Sequence, residues 1–318
     1  MTKQESISLS YVRISALLMI VLCHYCQAYG NKWAYVFNVG VQIFFALSGF
    51  LYGQKEIDNW WQWSKKRFVK LYIPIFVFLT MILPLYFFFR REELSIVWYA
   101  SNYLNLQGFS FALGGGTISG IRHLWFMTAI ALCYCSTPLL QLFKNKSNYI
   151  LPILILLIVF NYYLVRPQLA FMLSWILVYA AGYLFANIGY KRLAVLLITI
   201  LMIALSCVLE WSEILNYFNP KNRLWHDLLG IAFLLNCYWI LSNCIRIKMP
   251  EWLTKIDKYS FHIYIIHYFL LIGPFSMAHL FDNILWNVII SFGLIVVMTT
   301  IYVQICNRLK VRLQISKK

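Results

Sequence analysis

Two residues near the start of the chain have side chains that an apolar helix rarely carries: Arg13 and His24, in the stretch YVRISALLMIVLCHY (11–25). On an α-helix the eleven residue steps from one to the other make about 1100°, three turns plus roughly 20°, and a rise of about 16 Å. The two side chains therefore share one face at different depths. An arginine offers a planar fork of N–H donors suited to phosphates and carboxylates. A histidine with a pKa near neutrality can remove the proton of a hydroxyl as that hydroxyl attacks an acyl carbon. Each residue alone has a plainer reading, since Arg13 can snorkel to the headgroups and His24 can hydrogen-bond another helix. An arginine within a span costs about 2.5–3.5 kcal/mol to insert, which argues against two ionisable groups falling on one face by accident.

The elements that must position this pair are membrane helices. Of 318 residues, 62% are apolar and only 12% are charged, and mean hydropathy is +0.70. So few charges cannot coat a soluble domain of this length. Apolar runs of about 20 residues predict ten spans, near 8–28, 36–53, 71–89, 123–142, 149–165, 169–187, 193–210, 226–244, 259–281 and 284–306. The fold class expected is all-α, a polytopic transmembrane bundle formed by a single domain over 1–318. With ten spans, 19 of the 27 Lys and Arg residues fall on the N-terminal side, in the loops after even-numbered helices and in the tail. The loops after odd-numbered helices hold seven: Lys32, Arg90, Arg91, Arg122, Arg166, Lys221 and Arg223. The positive-inside rule then puts both termini in the cytoplasm.

The net charge of +16 reads as topology and attraction to anionic membrane lipid, and no basic soluble module is present to bind nucleic acid. The first apolar stretch is interrupted by Arg13 and His24 and has no cleavage pattern after it, so it reads as a retained helix. All eight cysteines fall inside predicted spans, where they pack as small apolar residues. The CHYC run at 23–26 lacks the second ligand pair a structural zinc site needs, so no metal is expected. The longest extramembrane piece, Arg90 to Arg122, includes Gly114, Gly115 and Gly116 and reads as a mobile lid or a plain connector; no P-loop follows it. No Asp or Glu is expected in mid-span, so a buried Ser-His-Asp triad is not available.

The spacing of Arg13 and His24 is followed by NVGVQIFFALSGFL (38–51), KRFVKLYIP (66–74), HLWF (123–126) and SFHIYIIHY (260–268). In this order the pieces resemble the acyltransferase 3 family of integral-membrane acyltransferases over nearly the whole chain. The sequence departs from the pattern at Gln42, where many members are acidic, and in lacking an acidic residue shortly after Arg13. The resemblance implies transfer of an acyl group, usually acetyl, from cytoplasmic acyl-CoA to a hydroxyl of a cell-envelope polysaccharide or lipid-linked glycan. Acyl-CoA is then a co-substrate, with no bound cofactor. It implies a multi-pass protein of the plasma or inner membrane, and leaves room for a homo-oligomer.

On this reading Arg13 and His24 are the catalytic pair, Arg13 anchoring the donor and His24 acting as base. Lys66, Arg67 and Lys70 approach the third helix from the cytoplasm, where they would meet CoA phosphates or serve as ordinary topology charges. His123 and Trp125, placed at the outer surface, would hold the acceptor sugar. His267, placed near the middle of the ninth helix, and Asn38 and Ser48, in the second-helix motif, are weaker substrate contacts; Gly49 reads as a close-packing residue. The competing function is a polytopic glycan or solute transporter. Against it stand the missing mid-span carboxylate and the lack of paired broken helices in two halves.

Overall fold

In the computed structural model, which describes residues 2–312 except 94, 114, 165, 166, 217, 218 and 246, the described residues are helical and contain no strand. Fourteen α-helices follow one another: α1 Lys3–Ala28, α2 Trp33–Phe37, α3 Val39–Gly53, α4 Trp60–Phe89, α5 Ile96–Tyr103, α6 Gln107–Ala112, α7 Trp125–Leu142, α8 Ser147–Leu164, α9 Pro167–Phe185, α10 Lys191–Val208, α11 Trp211–Ile214, α12 Pro220–Asn243, α13 Glu251–Leu271 and α14 Ile284–Arg312. Eight described stretches are long and apolar enough to cross a bilayer, and Ala170–Phe185 is a shorter apolar helix. Together with α13, which does not meet that apolar criterion, helices lie at the positions of the ten predicted spans. Gly114, Arg166 and the tail from 313 lie outside the described residues.

Several boundaries differ from the sequence reading: α1 starts at Lys3 and α4 at Trp60, where 8 and 71 were expected. The eighth span starts at Pro220, not 226, because Asn219 caps the helix, its side chain accepting from Lys221 N at 2.9 Å, and Pro220 occupies the first turn. The ninth runs 251–271 where 259–281 was expected. Its charged opening, with Glu251, Lys255, Asp257 and Lys258, is helical, and it ends before Gly273, whose φ of +105° few side chains tolerate, and Pro274.

The chain divides into two compact units. One comprises 1–26, 31–60 and 129–257; the other comprises 27–30, 61–128 and 258–318. In the first unit α3 lies against α9 through small residues. A Cβ added at Gly49 would stand 1.9 Å from the Tyr179 carbonyl oxygen, and one at Gly182 would stand 2.0 Å from that of Ala46. Gly49 and Gly53 form a small-xxx-small pair, which lets helix backbones approach where lipid supplies no hydrophobic drive. The packing role expected for Gly49 is thus what the geometry gives. Helix α10 buries Ala194, Val195, Ile198 and Met202 and exposes Leu193, Leu196, Leu197, Ile200 and Ile203. A helix apolar on its exposed face is one whose solvent is hydrocarbon.

A buried carboxylate ties the first unit together. Asp227 on α12 is fully buried and accepts from Gln42 Nε2 on α3 (3.2 Å), Tyr162 OH on α8 (2.9 Å) and Ser174 Oγ on α9 (2.7 and 2.8 Å). The expectation of no carboxylate inside a span is therefore corrected. The earlier start of α12 carries Asp227 about two turns inside the helix.

In the second unit, tyrosine hydroxyls donate to main-chain carbonyls of neighbouring segments: Tyr86 to Ser119, Tyr99 to Leu79 and Tyr302 to Pro74. Burying a tyrosine requires such an outlet for its O–H. The 90–122 segment is neither an open lid nor a plain connector over its described residues, because it forms α5 and α6. Gln107 Nε2 donates to the Ile121 and Arg122 carbonyls at 3.2 and 3.1 Å, and Gly108 N donates to Thr128 Oγ1 at 2.9 Å.

Candidate functional site

Helix α1 is unbroken from Lys3 to Ala28, so the eleven-residue spacing holds Arg13 and His24 on one face. Leu17 and Ile20 lie between them on that face, and both are buried. Ile20 is seven residues after Arg13, nearly in line with it, and Leu17 is four residues after. The line joining the two polar side chains therefore runs along the inward side of the helix. Arg13 and His24 are themselves half-buried, and His24 sits one turn before the helix end.

Arg13 has a partner that sequence reasoning missed. Its Nη1 donates to Asp257 Oδ1 at 2.6 Å, and Ser10 Oγ donates to Asp257 Oδ2 at 2.8 Å. Asp257 comes from the charged opening of α13, which reads as loop when apolar runs alone define the spans. No acidic residue follows Arg13 shortly after in α1, and the fold supplies one from far along the chain.

Asn38 is the joint between α2 and α3, with helical dihedrals, and is half-buried; Ser48 is half-buried beside Gly49. Gln42 carries an amide where many members of the resembled family are acidic, and that amide donates to Asp227. A second carboxylate there would repel the first, so the acidic group at this point of the bundle comes from α12 instead.

The remaining candidates lie in the second unit. Lys66, Arg67 and Lys70 occupy the opening turns of α4. Lys66 and Lys70 are exposed, and Arg67 is half-buried with its guanidinium 5.9 Å from the Trp63 ring centre. A 30-residue helix is about 45 Å long, more than the hydrocarbon core, so these turns project into the headgroup layer or water.

His123 was expected at the outer surface, but only 2% of it is exposed. It stands in the 3-10 turn Arg122–Leu124 that leads into α7. Its Nε2 lies 3.0 Å from the Ile265 carbonyl, and Tyr264 OH donates to its own carbonyl at 2.7 Å. Its ring stacks on Tyr268 at 4.6 Å and lies 5.7 Å from the His267 ring. His267 is fully buried four residues from the end of α13, not near the middle of its span, with Nδ1 2.7 Å from the Tyr264 carbonyl.

A carbonyl only accepts, so the ring nitrogen facing it carries the proton in each histidine, and the other nitrogen presents a lone pair. For His123 that nitrogen, Nδ1, is buried without a hydrogen-bond partner among the described residues. The fold thus joins two of the expected substrate contacts, His123 and His267, into one buried pair. Trp125 is half-buried, one ring face stacked on Phe111 at 5.3 Å with 7° between planes, and Arg122 lies 5.7 Å over that Phe111. Its other contacts with a sugar would have to use the opposite face or the ring edge.

A family model described as an acyltransferase domain matches residues 6–306. No curated protein matches the chain. No solved structure matches it either.

Proposed function

The chain belongs to the acyltransferase 3 family of membrane acyltransferases, and we propose that it moves an acyl group, most simply acetyl, from cytoplasmic acyl-CoA to a hydroxyl of a cell-envelope polysaccharide or lipid-linked glycan. The observation that supports this reading is the inward face of α1, which holds Arg13 and His24 about 16 Å apart in one helix; on this reading Arg13 is the anion anchor and His24 the base. CoA is a polyanion with a long flexible arm, so its phosphates can stay at Arg13 while its thioester reaches His24. Lys66, Arg67 and Lys70, on the opening turns of α4 in the second unit, would by themselves attract a phosphate-bearing donor from the cytoplasm, the side to which both termini are assigned.

In the reaction His24 takes the proton of the acceptor hydroxyl as its oxygen attacks the thioester carbonyl. The carbon–sulfur bond then breaks, and the departing thiolate takes up the proton, so an ester and free CoA thiol result. Asn38, at the joint between α2 and α3, and Ser48, within α3, supply polar contacts to the substrates. His123, His267 and Trp125 are the acceptor contacts of the second unit; His123 and His267 are buried, so only a glycan hydroxyl that enters the bundle would reach the Nδ1 of His123. The membrane is the plasma or inner membrane, where a cytoplasmic donor and an envelope acceptor meet.

Mass spectrometry of envelope glycans from cells with and without the protein tests this reading. An acyl mass missing only in the deleted strain is expected. Unchanged acylation with reduced export of an otherwise identical glycan would favour a carrier and overturn the enzyme.

A further inference from the structure

The ion pair at Arg13 has an unusual division of labour. A guanidinium has five N–H donors, and Asp257 takes one of them, through Oδ1 alone. A carboxylate facing an arginine commonly uses both oxygens in a fork. Here the second oxygen is held by Ser10, three residues before Arg13 and on the same side of α1. Asp257 is thereby tied to α1 at two points one turn apart, and its grip on the guanidinium comes from one edge.

Two facts argue against a purely stabilising pair. The side chains of Arg13 and Asp257 are 26% and 17% exposed, and an ion pair partly open to solvent adds little to stability. A long, unanchored arginine would also lose rotamer freedom each time a phosphate arrived, and a group that orders it beforehand removes that cost from binding.

We propose that Asp257 is a positioning residue of the donor site: fixed by Ser10, it orients the Arg13 guanidinium so that the N–H groups it does not use face the phosphates of the acyl donor. The inference rests on the reading of Arg13 as the donor anchor. It adds an acidic residue to a site that binds an anion, and its role is orientation, with no contact to the reacting atoms.

The test uses the full chain in lipid nanodiscs, with CoA binding measured by calorimetry and acetyl transfer measured as a function of acetyl-CoA. Wild-type protein comes first: if it does not bind CoA, the donor reading of Arg13 fails and the positioning role with it. If it does, Asp257→Asn should weaken CoA and raise the KM for acetyl-CoA about tenfold, as expected when one charge-assisted contact is lost. The kcat at saturating donor and the KM for the acceptor should stay within about twofold. Asp257→Glu should recover most of the loss. Ser10→Ala, which keeps the ion pair and removes only a hydroxyl, should raise the donor KM by a smaller factor and have no further effect in the Asp257→Asn background.

An unchanged donor KM in both Asp257→Asn and Ser10→Ala would overturn the proposal. So would a lower one, which would mean that the carboxylate competes with the phosphates. A fall in kcat at constant KM would assign the pair to structure alone. Should Asp257→Asn fail to fold, the Ser10→Ala donor KM decides by itself.

Discussion

Asp227 joins four helices of the first unit through one side chain. Its carboxylate is fully buried and gathers donors from α3, α8 and α9, so truncating it removes the acceptor that Gln42, Tyr162 and Ser174 share. Asp227→Ala should lower stability by about 3–5 kcal/mol, as removal of one member of a buried charged network does. Tyr162→Phe removes one hydrogen bond to the same carboxylate and should cost about 1.5–3 kcal/mol. Thermal unfolding in detergent ranks the two, and equal or negligible losses would contradict the network. At this scale the sequence is readable only where neighbours are local. Arg13 and His24 declare their shared face because they belong to one helix. Their environment does not show itself in the same way, because Asp257 reaches Arg13, and His267 reaches His123, from distant parts of the chain. Ser10 lies one turn from Arg13, yet its role is invisible until the carboxylate between them is placed.

Helices obey the same distinction between local signals and distant partners. The apolar runs locate the spans because a bilayer demands about 20 apolar residues from any helix that crosses it. They misplace the ends where helix continues through polar residues. The Asn219-Pro220 pair is a legible start signal for α12 that a hydropathy reading passes over, whereas the charged opening of α13 resembles a loop by composition. The short helices α5 and α6 fall below the length that a membrane criterion detects. Packing between helices yields a paired prediction. Gly49→Ala would drive a methyl group into the Tyr179 carbonyl and should destabilise the protein by about 1–3 kcal/mol, the usual cost of overpacking. Gly293 on α14 has nothing within 4 Å of an added Cβ. Gly293→Ala should be neutral or stabilising by up to about 1 kcal/mol, through helix propensity. Melting temperatures moving in the same direction for both would refute the assignment of one face to packing and the other to lipid.

For the molecule as a whole, charge asymmetry and chemistry point the same way. On the proposed topology the side richer in Lys and Arg faces the cytoplasm, from which the proposed polyanionic donor would arrive, and Arg13 would lie toward that side with His24 toward the other. A single cysteine at the exposed Ser119, in the segment leading to α7, should therefore react with a membrane-impermeant maleimide from outside the intact cell. Labelling there only after permeabilisation would reverse the orientation and with it the path assigned to the donor. Within the proposed function, acyl transfer requires a base at position 24. The most direct measurement is the rate of acetyl transfer at saturating acetyl-CoA by purified His24→Ala and His24→Asn proteins in nanodiscs, beside His279→Ala. His279 lies beyond the end of α13, with its Nε2 2.9 Å from the Ala28 carbonyl. The account predicts that both His24 variants insert and fold but lose about 10²–10⁴-fold in rate, the span of positioned acid–base catalysis, while His279→Ala keeps most activity. Transfer by His24→Ala at close to the wild-type rate would contradict it.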